Sequence, residues 1–247
     1  MRAVAIIQAR MGSSRLPGKV LEDVEGLTVL GHTVRRAQAI SGVDRVVVAT
    51  TRSSGDDAIV AECERLGVPW GRGSEDDVLS RYVDAARATE AELVVRITSD
   101  CPLLDPTESA RVVGAVKEAL GRGEPIDYAS NTIERRLPRG LDTEAFTREA
   151  LERAHRGASS PREREHVTLT MYEHPADYRL LSVIAPYDAS QHRWTIDTAE
   201  DLQLVREVMA RLVPTHGYAF GLAEILAVIE REPWIASLNR HVEQKKA

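Results

Sequence analysis

The chain has 247 residues, a length sufficient for one large α/β domain that buries a sizeable core. Its 38 acidic and 32 basic residues give a net charge of −6, which argues against nucleic-acid binding, because non-specific binding needs an excess of lysine and arginine. The two cysteines match neither a disulfide framework nor a metal knuckle, and the N-terminal apolar run is too short for a signal sequence or a membrane span, so we expect a cytoplasmic protein with no membrane partner.

The first half of the chain alternates between short apolar runs and helical patterns. Strands are predicted at residues 3–8, 44–50, 68–70 and 93–98. Helices are predicted at residues 28–40, 56–66, 77–89 and 106–120. Unbroken β-branched runs separated by helices indicate a mostly parallel sheet that is covered on both faces. We therefore predict a Rossmann-like, doubly wound α/β fold.

The alternation breaks down between residues 126 and 190. We interpret this stretch as a smaller lobe inserted into a single domain that spans residues 1–247. The elements predicted from here to the end are a polar helix at residues 160–173, strands at 178–185 and 193–196, and helices at 198–212 and 222–229. Thr198 is the expected N-cap of the helix that it begins, with Asp201 in its first turn.

A loop rich in glycine, serine and basic residues follows the first predicted strand. Its sequence is QARMGSSRLPGK, residues 8–19. Ligands of open α/β sheets bind outside the carboxyl ends of the strands. There, a Gly-Ser-Ser turn can offer backbone N–H groups, and Arg10, Arg15 and Lys19 supply positive charge. The loop lacks the spacing of a P-loop, yet it predicts a triphosphate site, the alternative being a solvated turn without a ligand.

Two aspartates are candidate ligands of Mg²⁺. Asp100 follows the predicted strand at residues 93–98, and Asp197 follows the short strand at residues 193–196. Two carboxylates that converge on one Mg²⁺ suit phosphoryl chemistry, because the ion neutralises phosphate charge and orients an in-line attack. The alternative for Asp100 is an ordinary turn residue at the end of a strand. Asp105 is assigned to helix capping, because it directly precedes a proline at the first helical position.

Four segments carry a resemblance to a known family. They are IQARMGSSRLPGK (residues 7–19), GSEDDVLSRY (73–82), RITSDCPL (96–103) and TIDTAEDL (195–202). With these segments in this order, the chain resembles the cytidylyltransferase superfamily of CMP-Kdo and CMP-sialic acid synthetases, and most closely its SpsF-like spore-coat polysaccharide branch. The resemblance implies a nucleotide-diphospho-sugar transferase type of fold with a small dimerisation and acceptor lobe. It also implies a homodimer that transfers CMP from CTP to a small acceptor and releases pyrophosphate.

The resemblance also assigns roles to individual residues. Catalysis is expected from Arg15, Lys19, Asp100 and Asp197, the two aspartates being the ligands of the Mg²⁺ cofactor. The residues expected to bind the nucleotide are Gln8, Ala9, Arg10, Gly12, Ser13, Ser14, Arg15, Lys19 and Arg81.

The acceptor side is defined by two segments rich in arginine. Guanidinium groups bind carboxylates or phosphates through paired hydrogen bonds, which favours an anionic acceptor such as a sugar acid, a polyol phosphate or a phosphonate. We expect acceptor contacts from Arg139, Glu144, Arg164 and His166. The alternative for the pair Arg164 and His166 is a helix surface stabilised by salt bridges, where such charges are ordinary.

Two other functions are compatible with such a fold. A GT-A glycosyltransferase would usually show a D-x-D motif after a strand, but the residues around Asp100 offer no second carboxylate at that spacing. A non-catalytic dimeric relative would be expected to have lost Lys19, Asp100 or Asp197, and all three are present. The sequence does not choose between CTP and another nucleoside triphosphate.

Overall fold

The computed structural model describes residues 1–244, which form one main sheet with helices on both faces. The strands are β1 (Ala3–Gln8), β2 (Asp23–Val24), β3 (Leu27–Thr28), β4 (Arg45–Thr51), β5 (Trp70–Gly73), β6 (Leu93–Thr98), β7 (Tyr128–Ser130), β8 (Glu144–Thr147) and β9 (Leu180–Ser182). The helices are α1 (Val29–Gln38), α2 (Asp57–Leu66), α3 (Val78–Ala88), α4 (Pro106–Gly121), α5 (Arg148–Gly157), α6 (Pro161–Glu165), α7 (Leu169–Glu173), α8 (Ala199–His216), α9 (Leu222–Arg231) and α10 (Trp234–Ser237).

The main sheet has seven strands in the order β5-β4-β1-β6-β8-β7-β9 within the described chain. The pairs β1 with β4, β1 with β6, and β4 with β5 are parallel, whereas β8 runs antiparallel to β6 and to β7. The predicted mostly parallel, Rossmann-like sheet is therefore confirmed. Because β1 pairs in parallel on both sides, the loops that follow β1, β4 and β6 emerge at one edge of the sheet.

Alternate residues of β1 face opposite sides of the sheet, and both sides are covered. Ile7 belongs to a buried cluster with Leu30 of α1 and Val112 of α4. Ile6 belongs to a second cluster that includes Tyr82 of α3. A third cluster joins α8 and α9 around Trp194 and lies next to the carboxyl edge. Burial on both faces explains why β1 is an unbroken apolar run. In residues 1–244 no helix is both long and apolar enough to cross a membrane.

The elements predicted in the first half are confirmed to within about two residues, apart from the strand at 68–70, which occupies Trp70–Gly73. Local capping chemistry sets the helix starts. The side chain of Asp105 accepts hydrogen bonds from the N–H groups of Thr107 and Glu108, and Thr198 accepts one from Asp201. Such caps satisfy backbone donors that have no partner inside the helix, which is why the sequence locates these ends well.

The second half departs from prediction in several places. The polar helix predicted at residues 160–173 is wrong, because Val167 has a φ of 42° and separates two short helices, α6 and α7. The strand predicted at 193–196 is also wrong. Arg193 forms only an isolated bridge with Arg139, and the chain then leaves the ladder. The predicted strand at 178–185 is reduced to Leu180–Ser182, and β7, β8 and α5 were not predicted.

Residues 126–190, predicted as an inserted smaller lobe, share the main sheet. They contribute β7, β8 and β9, and β8 pairs directly with β6. They also supply α5, α6 and α7, of which α5 and α6 pack against α3. The extent of a separate lobe stays a prediction.

Gly140 allows two chain segments beside the cleft to approach each other. Its φ is +106°, and a Cβ there would lie 2.6 Å from the backbone carbon of Trp194. We expect Gly140→Ala to lower the free energy of unfolding by about 2–4 kcal/mol, because strain and backbone overlap add together. Urea denaturation of the purified variant measures this change.

Gly114 provides the matched control for this substitution. It lies inside α4, has no heavy atom within 4 Å of a built Cβ, and does not have a positive φ. Gly114→Ala is expected to raise stability by about 0.5–1 kcal/mol, since alanine is the better helix former. Equal stabilities of the two variants would contradict the role given to Gly140.

Candidate active site

A cleft of about 1010 Å³ opens at the carboxyl edge of the sheet. Gln8 at the end of β1 pairs in register with Thr98 at the end of β6, so the loops after both strands reach the same cleft. The predicted site residues that line it are Gln8, Ala9, Arg10, Gly12, Ser13, Ser14, Arg15, Lys19, Arg81, Asp100, Arg139, Glu144, His166 and Asp197.

Arg164 is the predicted site residue that does not line the cleft. Its guanidinium donates a hydrogen bond to the carbonyl oxygen of Ala158 at 2.8 Å and lies 3.4 Å from the carboxylate of Asp77. Asp77 is the N-cap of α3. Arg164 therefore ties α6 to the start of α3 and contributes to the scaffold. It does form an ion pair, but with a residue of another element and not along its own helix surface, as the salt-bridge alternative had it.

Lys19 joins the two aspartates. Its Nζ lies 2.8 Å from Oδ2 of Asp100 and 2.9 Å from Oδ1 of Asp197, and it also donates to the carbonyl oxygen of Ile196. Burial lowers the pKa of Lys19, but the charges and hydrogen bonds of the two carboxylates outweigh burial and raise it. The amine is therefore protonated at neutral pH. Asp100 and Asp197 converge, which their spacing in the sequence could not establish.

The basic loop curls back on itself to bring Lys19 inward. The carbonyl oxygen of Met11 accepts hydrogen bonds from the N–H groups of Ser13 at 2.9 Å and Gly18 at 3.1 Å. Gly18 has a φ of 76°, in the region that favours glycine, and Lys19 follows as the first residue of a 3₁₀ turn. The N–H of Met11 donates to Asp56 at 2.8 Å, which fixes the loop to the segment after β4.

Asp197 is held by two arginines in addition to Lys19. Its Oδ2 lies 2.7 Å from Arg193 Nη2 and 2.8 Å from Arg15 Nη2. Burial raises the pKa of Asp197, but Lys19, Arg193 and Arg15 outweigh burial and lower it, so this carboxylate is ionised at neutral pH. The predicted triphosphate-loop residue Arg15 thus reaches the predicted metal ligand Asp197.

Arg193 and Asp201 form a buried ion pair that contacts Asp197, and the sequence did not predict this pair. Asp201 accepts hydrogen bonds from Arg193 Nε at 2.9 Å, from the N–H of Asp197 at 2.9 Å and from Asn239 Nδ2 at 2.7 Å. The sequence places Asp201 in the first turn of a helix, where a negative charge needs no further reason. The one feature of the sequence that could have indicated these contacts is the four-residue spacing from Arg193 to Asp197 and from Asp197 to Asp201.

Glu144 is already saturated by protein partners. Its carboxylate accepts hydrogen bonds from Tyr128 at 2.6 Å and Thr168 at 2.8 Å, and pairs with Arg96. Burial raises the pKa of Glu144, but Arg96 and these hydrogen bonds outweigh burial and lower it. Arg96 in turn donates to Oε1 of Gln8 at 3.3 Å. Glu144 therefore positions Arg96, a cleft residue that sequence reasoning did not assign to the site.

Arg81 is a buried arginine at the wall of the cleft. It is 4% exposed, and its Nε and Nη1 have no hydrogen-bond partner in the part of the chain that the structure describes. Arg81 packs against Gly73, where a Cβ would lie 2.7 Å from its Cγ, so glycine makes room for the arginine. Burial lowers the pKa of Arg81. Buried donors normally find acceptors, which supports a ligand contact at this position.

A nucleotidyltransferase needs a cationic loop for the triphosphate beside carboxylates for a metal, and the carboxyl edge of this sheet provides both. The family follows from comparison with known proteins. A model described as "Cytidylyltransferase" matches residues 4–242, so the chain belongs to the cytidylyltransferase family. It is a CTP-dependent nucleotidyltransferase of the SpsF-like branch, which favours nucleotidyl transfer over the glycosyltransferase and non-catalytic alternatives.

Relatives and a solved structure agree with this assignment. The chain is 34% identical to the spore coat polysaccharide biosynthesis protein SpsF of Bacillus subtilis, over 92% of this chain and 94% of that protein. It is 30% identical to a 3-deoxy-manno-octulosonate cytidylyltransferase of Anaeromyxobacter dehalogenans, over 85% and 99% of the two chains. The structure of a cytidylyltransferase from Leptospira borgpetersenii matches with a TM-score of 0.90 and 31% identity, covering 100% of both chains.

Proposed function

We propose that the protein transfers CMP from CTP to a small anionic acceptor, with Mg²⁺ as cofactor and pyrophosphate as the leaving group. The convergence of Asp100 and Asp197 on Lys19, beside the basic loop at residues 8–19, carries this proposal. A cationic loop binds the β- and γ-phosphates that leave, and the nearby carboxylates mark where a metal would hold the reacting phosphate.

The triphosphate is assigned to the loop at residues 8–19. Arg10, Arg15 and Lys19 line the same cleft, and their charges oppose those of a polyphosphate. Arg81 adds two buried donors that no residue in the range 1–244 satisfies, and they suit an acceptor atom of the nucleotide. Lys19 is held by Asp100 and Asp197 before the ligand arrives, and such preorganisation favours the charge that develops on the leaving pyrophosphate.

Mg²⁺ is assigned to Asp100 and Asp197. In residues 1–244 no group of three or more His, Cys, Asp or Glu side chains is placed to hold a metal ion. Magnesium is commonly bound by one or two carboxylates together with substrate phosphates, so the two aspartates fit an ion shared with CTP. When bound, Mg²⁺ neutralises phosphate charge and orients the in-line attack.

The acceptor is assigned to the side of the cleft that holds Arg139 and His166. Arg139 lines the cleft and forms no ion pair or side-chain hydrogen bond within residues 1–244, so its guanidinium is available for an anion. A relative named as a 3-deoxy-manno-octulosonate cytidylyltransferase also supports an acidic acceptor.

An oxygen of the acceptor attacks the α-phosphorus of CTP directly. The new bond joins this oxygen to the α-phosphorus, and the bond from the α-phosphorus to the oxygen that bridges to the β-phosphorus breaks, which releases pyrophosphate. When the attacking oxygen belongs to a hydroxyl group, a nearby carboxylate of the cleft takes its proton. No protein nucleophile is required. Cys101 lies beside Asp100, but burial, followed by the charge of Asp100, raises the pKa of its thiol, so a reactive thiolate is disfavoured.

Pyrophosphate release tests the proposal. The enzyme is assayed with Mg²⁺ and each of the four nucleoside triphosphates, against sugar acids, polyol phosphates and phosphonates. We expect release that depends on CTP, on Mg²⁺ and on one class of acidic acceptor. Release with another triphosphate, or equal release with chelator in place of Mg²⁺, would contradict the corresponding part of the proposal.

A further inference from the structure

A second large cavity lies outside the active site. Its volume is about 980 Å³, close to the 1010 Å³ of the catalytic cleft, and the two share no lining residue. It lies between the end of α1, the first turn of α4 and residues 216–226. We call it the Arg36 cavity. Aromatic side chains, Tyr187, Tyr218 and Phe220, form much of its wall.

Arg36 lines this cavity, and two of its donors, which are shielded from solvent, have no hydrogen-bond partner among residues 1–244. The residue is 3% exposed, and its Nη1 donates to the carbonyl oxygens of Leu104 at 3.1 Å and Phe220 at 2.9 Å. Its Nε and Nη2 are buried and form no hydrogen bond with any residue of the described range 1–244. Burial lowers the pKa of Arg36 to about 10, so the guanidinium keeps its charge at neutral pH. A buried charge of this kind is costly unless an anion accompanies it.

Asp105, the acidic residue whose charge affects Arg36, forms its hydrogen bonds with backbone N–H groups. Asp105 raises the pKa of Arg36 through its charge, but its Oδ1 accepts hydrogen bonds from the N–H groups of Thr107 and Glu108. Its Oδ2 accepts one from the N–H of Leu222 at 2.7 Å. Asp105 therefore joins the starts of α4 and α9, and it forms no hydrogen bond with Nε or Nη2 of Arg36.

The other acidic side chains of the cavity are engaged as well. Glu108 lies 2.7 Å from Arg111 and accepts a hydrogen bond from Tyr187. Glu224 caps α9 by accepting a hydrogen bond from the N–H of Gly221 at 2.8 Å. Within residues 1–244, then, the carboxylates that line the cavity have roles that do not include pairing with Arg36.

We propose that the Arg36 cavity binds a small molecule that carries a carboxylate or a phosphate monoester on an aromatic or apolar body. Nε and Nη2 form one edge of a guanidinium, and that edge can donate two parallel hydrogen bonds to two oxygens of one anion. The Phe220 ring lies 4.2 Å from the guanidinium carbon, so the apolar body of the ligand meets an aromatic wall next to the charge. Because both nitrogens are shielded from solvent, the ligand reaches them by displacing a neighbouring side chain.

Calorimetric titration with two anionic probes tests the proposal. Phenyl phosphate and phenylacetate are titrated separately into the full chain, with CTP present to fill the catalytic cleft and no acceptor present. Benzyl alcohol serves as the neutral probe. The readout is binding and does not require turnover, so it stands apart from the proposed transferase activity.

We expect one saturable site for at least one anionic probe and no saturable binding of benzyl alcohol. The tighter of the two anions identifies the headgroup as phosphate or carboxylate. Arg36→Met should weaken binding about tenfold or more, since the charge-assisted hydrogen bonds are lost. No saturable binding of either anion would overturn the proposal.

A cavity-filling variant keeps the test valid if Arg36→Met does not fold. Ala223 is exposed on α9 and lines the cavity, whereas Ala227 is exposed on the same helix and does not line it. Ala223→Trp should abolish probe binding, and Ala227→Trp should leave it unchanged. Equal affinities in these two variants would place the bound probe elsewhere and overturn the proposal.

Discussion

Replacing Lys19 with methionine is expected to lower kcat/KM by about 10²–10³-fold, the loss typical when one preorganised charge at a reacting group is removed. Methionine keeps most of the length of the side chain and its apolar stem in the buried position. It removes the cation that Asp100 and Asp197 share at 2.8 Å and 2.9 Å. The triphosphate then loses one cationic partner, and the two aspartates lose the cation that lies between them.

The fold should survive this substitution, because Asp197 still pairs with Arg15 and Arg193. Lys117→Met is the matched control, since Lys117 lies on α4, away from the cleft, and donates to the carbonyl oxygen of Gly42. Steady-state kinetics and urea denaturation of both variants separate loss of activity from loss of stability. Turnover at the wild-type rate in a folded Lys19→Met enzyme would remove Lys19 from the site.

Asp197→Asn is expected to reduce kcat/KM by at least about 10²-fold and to raise the Mg²⁺ concentration needed for half-maximal rate. The asparagine amide has nearly the same shape as the carboxylate but no charge, whereas Lys19, Arg193 and Arg15 keep the carboxylate of Asp197 ionised. The structural pair of Arg193 with Asp201 is untouched, so the helix start at Thr198 should persist.

The Mg²⁺ dependence decides between a metal ligand and a structural residue. A structural role would lower activity at every Mg²⁺ concentration without moving the half-maximal point. Asp188→Asn is the control, because Asp188 is exposed and accepts a hydrogen bond from the N–H of Ser190 in a loop. An unchanged Mg²⁺ dependence in Asp197→Asn would contradict the metal assignment of that residue.

Features set by neighbouring residues could be predicted from the sequence. The strands β1 and β6 were predicted at their observed bounds because each consists mainly of apolar residues that are buried on both faces of the sheet. The basic loop after β1 was identified because glycines, serines and cations are concentrated in one short segment. Asp105 and Thr198 were placed as caps because capping depends on residues only a few positions apart.

Features set by distant residues could not be predicted. Lys19 and Asp197 are 178 positions apart, and Arg96 and Glu144 are 48 apart, so no local pattern shows that they touch. The sequence therefore led us to assign Glu144 to acceptor binding, whereas in the structure its carboxylate pairs with Arg96. Strands of three or four residues, such as β7 and β8, are too short for a periodic pattern. They are defined by long-range pairing, β8 with β6 and β7 with β8.

The most direct test of the transferase reaction follows two radioactive labels in CTP through one turnover. With the acceptor that supports pyrophosphate release, [α-³²P]CTP should place its label on the acceptor, and [γ-³²P]CTP should place its label in pyrophosphate. Attack at the α-phosphorus predicts both results. Label from the γ position on the acceptor would show phosphoryl transfer in place of CMP transfer, and would contradict the proposed function.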